Sequence, residues 1–242
     1  MHTIDLLWRG ERPLPARPGR RPRIGVDDVV AAGVAEADER GLDGLSVRGV
    51  AGRLGVGVMT LYGHVTDRAQ LVELMVDDCR ARHARRPLAG SWRDMLEQVA
   101  AENLALMTEH PWLAHVETER AVLGPGTLGA YEHELAALEP LGLDDVARDR
   151  ALALVLGHVR GAARAMAAAR VENAEESTAQ WWEREGARLA ELGVEERFPL
   201  ASRVGAAAGE AQGAAADARS AYEFGLAVIL DGLAAAAGSR GA

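Results

Sequence analysis

Residues 46–68, SVRGVAGRLGVGVMTLYGHVTDR, read as two short helices joined by a glycine turn. Ser46 is placed to cap the first, its hydroxyl accepting from backbone N–H groups that have no partner within the helix. Val47, Val50, Ala51 and Leu54 then fall at i, i+3, i+4 and i+7, a single apolar stripe for burial. Gly55 stands where the chain must turn left-handed to stop, with Val56 folding back onto the helix it ends. In the second helix Val58, Leu61 and Val65 face inward, while Thr60, Tyr62, Gly63 and His64 face partly outward. Ala51, four residues before the glycine, is small enough to let the second helix cross close by. This is the pattern of a helix-turn-helix, whose second helix enters the major groove of DNA.

The residues on either side extend the pattern. Between Val26 and Asp78, the run AAGVAEADERGLDGLSVRGVAGRLGVGVMTLYGHVTDRAQLVELMVDD resembles the DNA-binding domain of the tetracycline-repressor (TetR) family without a gap. The resemblance rests on the GL-x-x-L-S entry, the LGV turn and the LYxHV core, in order. It implies an all-α protein: a three-helix DNA-binding domain with a helix-turn-helix, then a larger helical domain for ligand binding and dimerisation. It also implies roles. Arg48 matches a base-contacting arginine able to pair with guanine. Val58, Met59, Thr60, Tyr62 and His64 occupy the outward positions of the reading helix, Tyr62 and His64 resembling phosphate contacts. Arg68 stands where relatives carry a lysine facing phosphate. Two positions depart from the pattern. Val58 replaces a polar base reader, and Gly63 replaces a bulky neighbour of the tyrosine, so Arg48 and Thr60 carry more of the expected readout.

Charge divides along the chain. The formal net charge of −9 comes from 27 arginines and 36 acids, with no lysine at all. Residues 1–25 carry net +4, residues 26–86 net −2 and residues 87–242 net −11. The basic footprint that phosphate requires is therefore local, and every cationic side chain that is charged at neutral pH is an arginine. Residues 1–23 form a basic arm rich in proline, expected to lack structure away from DNA, with Arg17, Arg20, Arg21 and Arg23 placed to enter a neighbouring minor groove. The alternative for this arm is an ordinary solvated tail.

The rest reads as helices. Aromatic residues are 4% of the chain, alanine is abundant, and no segment alternates in the manner of a strand. Periodicity predicts helices over 27–40, from about 66 past Cys79, over 92–110, 127–138 and 144–172, around Trp181 and Trp182, and over 214–236. Pro87–Gly90 separates the DNA-binding domain (24–86) from the C-terminal domain (87–242). Leu152, Leu156, Val159 and Met166 line one apolar stripe, and Tyr222, Leu226, Ile229 and Leu233 another. Periodicity alone fits a core for both stripes equally well. The resemblance implies that two late helices pair with their copies in a homodimer, which the two half-sites of an operator also favour.

The resemblance further implies a mostly apolar ligand pocket in the C-terminal domain. Candidate lining residues are Met107, Trp112, His115, Glu119, Tyr131, His158, Trp181 and Trp182. Trp112 and His158 have an alternative as packing residues.

Nothing in the chain assembles a catalytic or metal centre. His110 and His115 flank Pro111 off one helical face, and His133 lacks HExxH spacing. Cys79, the single cysteine, sits among Asp77 and Asp78, which raise a thiol pKa. No cofactor is implied. A lone cysteine, no signal-like N-terminus and no uninterrupted apolar run of membrane-spanning length point to a cytoplasmic protein. The expected function is a sequence-specific DNA-binding regulator, a repressor released by a small apolar or amphipathic effector. The second reading is a helical binding protein or enzyme that keeps the fold without operator binding.

Overall fold

A computed structural model describes residues 2–12, 24–116, 120–212 and 217–238. Among them there is no β-strand. The head comprises α1 (Thr3–Leu7), α2 (Val26–Gly44), α3 (Val47–Leu54), α4 (Val58–Tyr62) and α5 (Arg68–Arg82). Behind it lie α6 (Trp92–Glu109), a 3-10 turn at Pro111–His115, α7 (Pro125–Ala136), a second such turn at Glu139–Leu141 and the 31-residue α8 (Asp145–Glu175). The chain continues through α9 (Thr178–Glu191), α10 (Val194–Arg197), α11 (Pro199–Gln212) and α12 (Ala218–Gly238).

Local chemistry sets the boundaries. Ser46 Oγ accepts from Gly49 N at 3.0 Å, a cap that stabilises α3 by about 1 kcal/mol. Gly55 at φ 65° ends α3, and the Val56 amide donates back to the Ala51 carbonyl at 3.0 Å. Regular α2 stops where periodicity predicts, because Gly41 turns to φ 69°. Ser91 and Asp94 cap α6 reciprocally, and Asp144 caps α8.

One core runs through both halves. Val29, Val30, Val50, Leu61, Leu71 and Met75 pack the head, and Leu96, Val99, Leu138, Leu152, Val155 and Leu230 the larger domain. Helix α5 belongs to both. It packs on α2 in the head and on α7 behind it. The α5–α7 crossing is so close that a β-carbon on Gly126 would lie 2.1 Å from the Asp77 carbonyl oxygen.

Several expectations change. Part of the basic arm is structured: Thr3–Leu7 is helical, with Leu6 and Leu7 buried against the core. The Trp8 indole donates to the Leu123 carbonyl at 2.9 Å, and Arg9 pairs with Asp27 at 2.6 Å. Leu6 and Leu7, with Trp8 half-buried beside them, supply the burial that overrides disorder. Arg17, Arg20, Arg21 and Arg23 lie outside the described residues. Helix α11 and both 3-10 turns were not foreseen either, α11 because Gly205 and Gly209 punctuate its sequence.

The two expected dimer stripes face each other inside one chain. Leu152, Val159, Tyr222, Leu226 and Leu233 are buried where α8 packs on α12, and Leu156, Met166 and Ile229 are half-buried. Periodicity finds apolar faces but not which neighbour covers them. The opposite sides of both helices stay open, with Leu154 53% exposed, Phe224 74% and Val228 53%. Helix α12 is, among the described residues, long and apolar enough to cross a membrane by length and composition. Its apolarity follows from carrying one buried face toward α8 and a second apolar face outside.

Candidate nucleic-acid interface and ligand cavity

The reading surface is built by burying the back of α4. Leu61 and Val65 are fully inside, fixing the helix on α3 and the core, while Val58 is half-buried and packs on the core. The front is left open: Met59 is 81% exposed, Tyr62 is 48% exposed, Thr60 is exposed and His64 is half-buried. Arg48, in the first turn of α3, is exposed as well.

The head's cations divide by task. Arg53 pairs with Glu36 and Glu39, and Arg40 with Glu36, whose carboxylate is buried between α2 and α3. Glu39 is held below the usual carboxylate range by its hydrogen bond from Arg53. Arg68 is engaged too. Its Nε donates to the Leu45 carbonyl at 3.1 Å and its Nη2 to the Leu42 carbonyl, tying the end of α2 to the start of α5. The expected phosphate cation is therefore a clamp on the head's own backbone. Arg48 alone among these four has no carboxylate or carbonyl partner among the described residues, and its fork of donors stays unengaged by the head.

A cavity of about 210 Å³ opens between α5, α6, α8 and residues 113–116 and 120–127. Its apolar walls are Val76, Leu106, Met107, Leu113, Val116 and Val122, and its polar ones Arg80, Asn103, Arg120, Thr127 and Arg160. Of the expected lining residues that the structure describes, Met107 alone is there. Trp112 is buried and its indole donates to Asp38 on α2 at 2.9 Å, so it joins the two halves of the molecule. His115 is exposed at the end of its turn. Tyr131 is on the outside of α7, donating to Asp149 at 2.9 Å, which pushes its own pKa up. His158 stacks on Tyr222 at 5.6 Å between ring centres, its Nε2–H donating to the Tyr222 carbonyl at 2.8 Å in the α8–α12 seam. Trp181 and Trp182 are 42% and 41% exposed on α9, rather than one in and one out. Glu119 lies outside the described residues.

The sequence held a signal for the missed lining. Arg80 follows Val76 by four residues and Arg160 follows Leu156 by four, so each places a cation in line with an apolar stripe.

Cavity and head are connected through α5 and the 3-10 turn. Val76 and Arg80 of α5 line the cavity, and so does Leu113, next to the Trp112 that holds Asp38. Asp77, buried on the same helix, accepts from the Thr127 amide at 2.7 Å and so caps α7 from outside. The His110 ring faces the same Asp38 carboxylate at 2.9 Å.

Residues 86–237 match the family model described as the tetracyclin repressor-like C-terminal domain. The chain belongs to the tetracycline-repressor-like family. It is similar to the HTH-type transcriptional repressor DrrR1 of Streptomyces coeruleorubidus, at 36% identity over 239 residues, covering 96% of this chain and 84% of that protein. The tetracycline repressor of class D from Escherichia coli is 35% identical over 81 residues, 32% of this chain and 37% of that one. Among solved structures it is similar to ActR of Streptomyces coelicolor without ligand, with a TM-score of 0.69 at 25% identity over 90% of this chain and 100% of that one. ActR in complex with actinorhodin aligns with a TM-score of 0.67, again at 25% identity, covering 90% and 99%. A tetracycline-repressor-like chain of this kind is a DNA-binding transcriptional regulator, all helical, with the helix-turn-helix in front.

Proposed function

We propose that the chain is a cytoplasmic, homodimeric repressor that leaves its operator when a small molecule fills the cavity. The observation that carries the reading is the open front of α4 beside the uncommitted Arg48, on a head that shares α5 with the cavity. Filling the cavity pushes on Val76 and Arg80 of α5 and on Leu113, which sits beside the head contact of Trp112. Both routes alter the angle at which α4 is presented, and two heads that miss their spacing release the duplex.

The open faces of α8 and α12 support the dimer. Leu154, Phe224 and Val228 leave an apolar strip on adjacent helices, and a second copy of the same strip covers it by two-fold symmetry. The arm arginines add phosphate or minor-groove contacts in this reading.

Arg48→Ala tests the readout. On DNA from upstream of the chain's own gene it is expected to cost about 1–3 kcal/mol and to relax preference at one base position. Fluorescence anisotropy with cognate and scrambled duplexes measures both. An equal loss on the two duplexes removes Arg48 from base recognition. Salt-erased binding of the unaltered protein to every duplex, with no preference, favours the reading without an operator.

A further inference from the structure

We infer that residues 3–9 act as a strap joining the wall of the cavity to the turn behind the reading helix, with Trp8 and Gln70 as its positioning residues. The strap stands on contacts within the chain, and only the signal it carries rests on the release reading of the proposed function. The two connections through α5 and the 3-10 turn do not run through it.

The stretch 120–123 faces two ways. Arg120, Ala121 and Val122 line the cavity. Arg120, Ala121 and Leu123 also border a second hollow, shared with Thr3 and Leu7 of α1. This stretch is irregular backbone, so its place depends on what it touches. On the strap's side the Leu123 carbonyl accepts from the Trp8 indole at 2.9 Å.

The other end of α1 reaches the head through one side chain. Gln70 Nε2 donates to Thr3 Oγ1 at 3.1 Å, and Gln70 Oε1 accepts from the Thr66 amide at 2.9 Å. Thr66 follows the buried Val65 in the turn that leaves α4 for α5. Gln70 is itself buried, at 6% exposure, so both bonds are sheltered from water. Between these ends the strap is stiff. Leu6 and Leu7 are buried and α1 packs on α5. The Arg9 guanidinium donates to the Leu6 carbonyl at 2.7 Å and to Asp27, in the first turn of α2, at 2.6 Å. A single turn of helix held at each end moves as a unit. Displacement of the cavity wall therefore arrives behind α4 as a shift of α1.

Hydrogen–deuterium exchange of the full-length chain, followed by mass spectrometry without DNA or ligand, tests the strap. Trp8→Phe removes the indole donor and Thr3→Val the hydroxyl acceptor, each with little change of shape. Each is expected to speed amide exchange about 5-fold both at 121–128 and at 63–70, although each cuts at one end only. The double variant should go no further than the worse single one, because links in series break once. Either single variant decides the matter where the other fails to fold. Faster exchange confined to the cut end, or two effects that add, overturns the inference. Val122→Phe, which adds bulk inside the cavity, separates the strap from the release reading. It is expected to weaken operator binding, and the loss to shrink about 3-fold once Trp8→Phe is added. An equal loss in both backgrounds overturns the inference as well. Coupled exchange with undiminished operator binding by Val122→Phe leaves the strap standing and removes the release mechanism. Exchange that stays local, with operator binding weakened, removes the strap and leaves the mechanism.

Discussion

Trp112→Ala is expected to lower folding stability by about 3–5 kcal/mol, the usual cost of emptying the site of a large buried aromatic residue. Trp112 is 2% exposed and heads the fully buried side chains by volume, so nearby atoms cannot close the void. The loss goes beyond packing. Asp38 loses the indole N–H that holds it from across the domain boundary and keeps only the His110 ring. Trp112→Phe separates the two effects. It keeps most of the ring and removes the donor, at a cost of about 1–3 kcal/mol for a charge-assisted bond at a partly buried site. The phenylalanine variant should fold, bind DNA and respond less to a cavity ligand, because one of two connections to the head is cut. Chemical denaturation gives the first number, and ligand titration of the DNA complex the second. An alanine variant that loses under 1 kcal/mol, or a phenylalanine variant with an unaltered ligand response, contradicts the role given to this turn.

Gly126→Ala carries the second large effect. A β-carbon there meets the Asp77 carbonyl oxygen at 2.1 Å and Ala81 at 2.8 Å, both parts of α5 that cannot rotate aside. Relief requires α5 and α7 to separate, which costs about 1–3 kcal/mol or more and strains the bond from the Thr127 amide to Asp77. Gly129→Ala is the control on the same helix. Nothing lies within 4 Å of its added carbon, and alanine gains up to about 1 kcal/mol over glycine inside a helix. Opposite signs at two glycines three residues apart are the expected result. Two changes of the same sign, read from thermal melts, would mean that α5 and α7 do not cross as described.

Legibility in the sequence followed the range of the interaction. The helix-turn-helix is a local object, in which Ser46, Ala51, Gly55 and Leu61 each state their own job within a few residues, and the fold class came with it. The capping residue Ser91 is readable for the same reason. Contacts made across long separations were not. Arg68 looks like a free cation until the Leu42 and Leu45 carbonyls are brought to it from 26 and 23 residues away. The stripes on α8 and α12 were correctly apolar, yet only the packing shows that they cover each other. Large rings are the expected lining of such a cavity, yet here the rings stand at joints and outer faces. The wall was left to aliphatic residues and arginines, whose role depends on where three distant segments meet.

The seating of Cys79 gives the molecule a built-in reporter. Its thiol is pushed up to about 12 by burial first, and then by the charges of Asp78, Asp38 and Glu109. Asp77, its other acidic neighbour in sequence, instead turns to α7. At pH 8 such a thiol holds about a thousandfold less thiolate than one at its ordinary 9.0, so alkylating reagents should find it almost inert while the chain is folded. The raised folded value also means that stability declines as pH climbs from about 9 toward 12, where the native state alone keeps the proton. Labelling at the speed of the unfolded chain would refute this seating. With no second cysteine to confuse the signal, the pace of alkylation becomes a clock for any tilt of the helix that carries it.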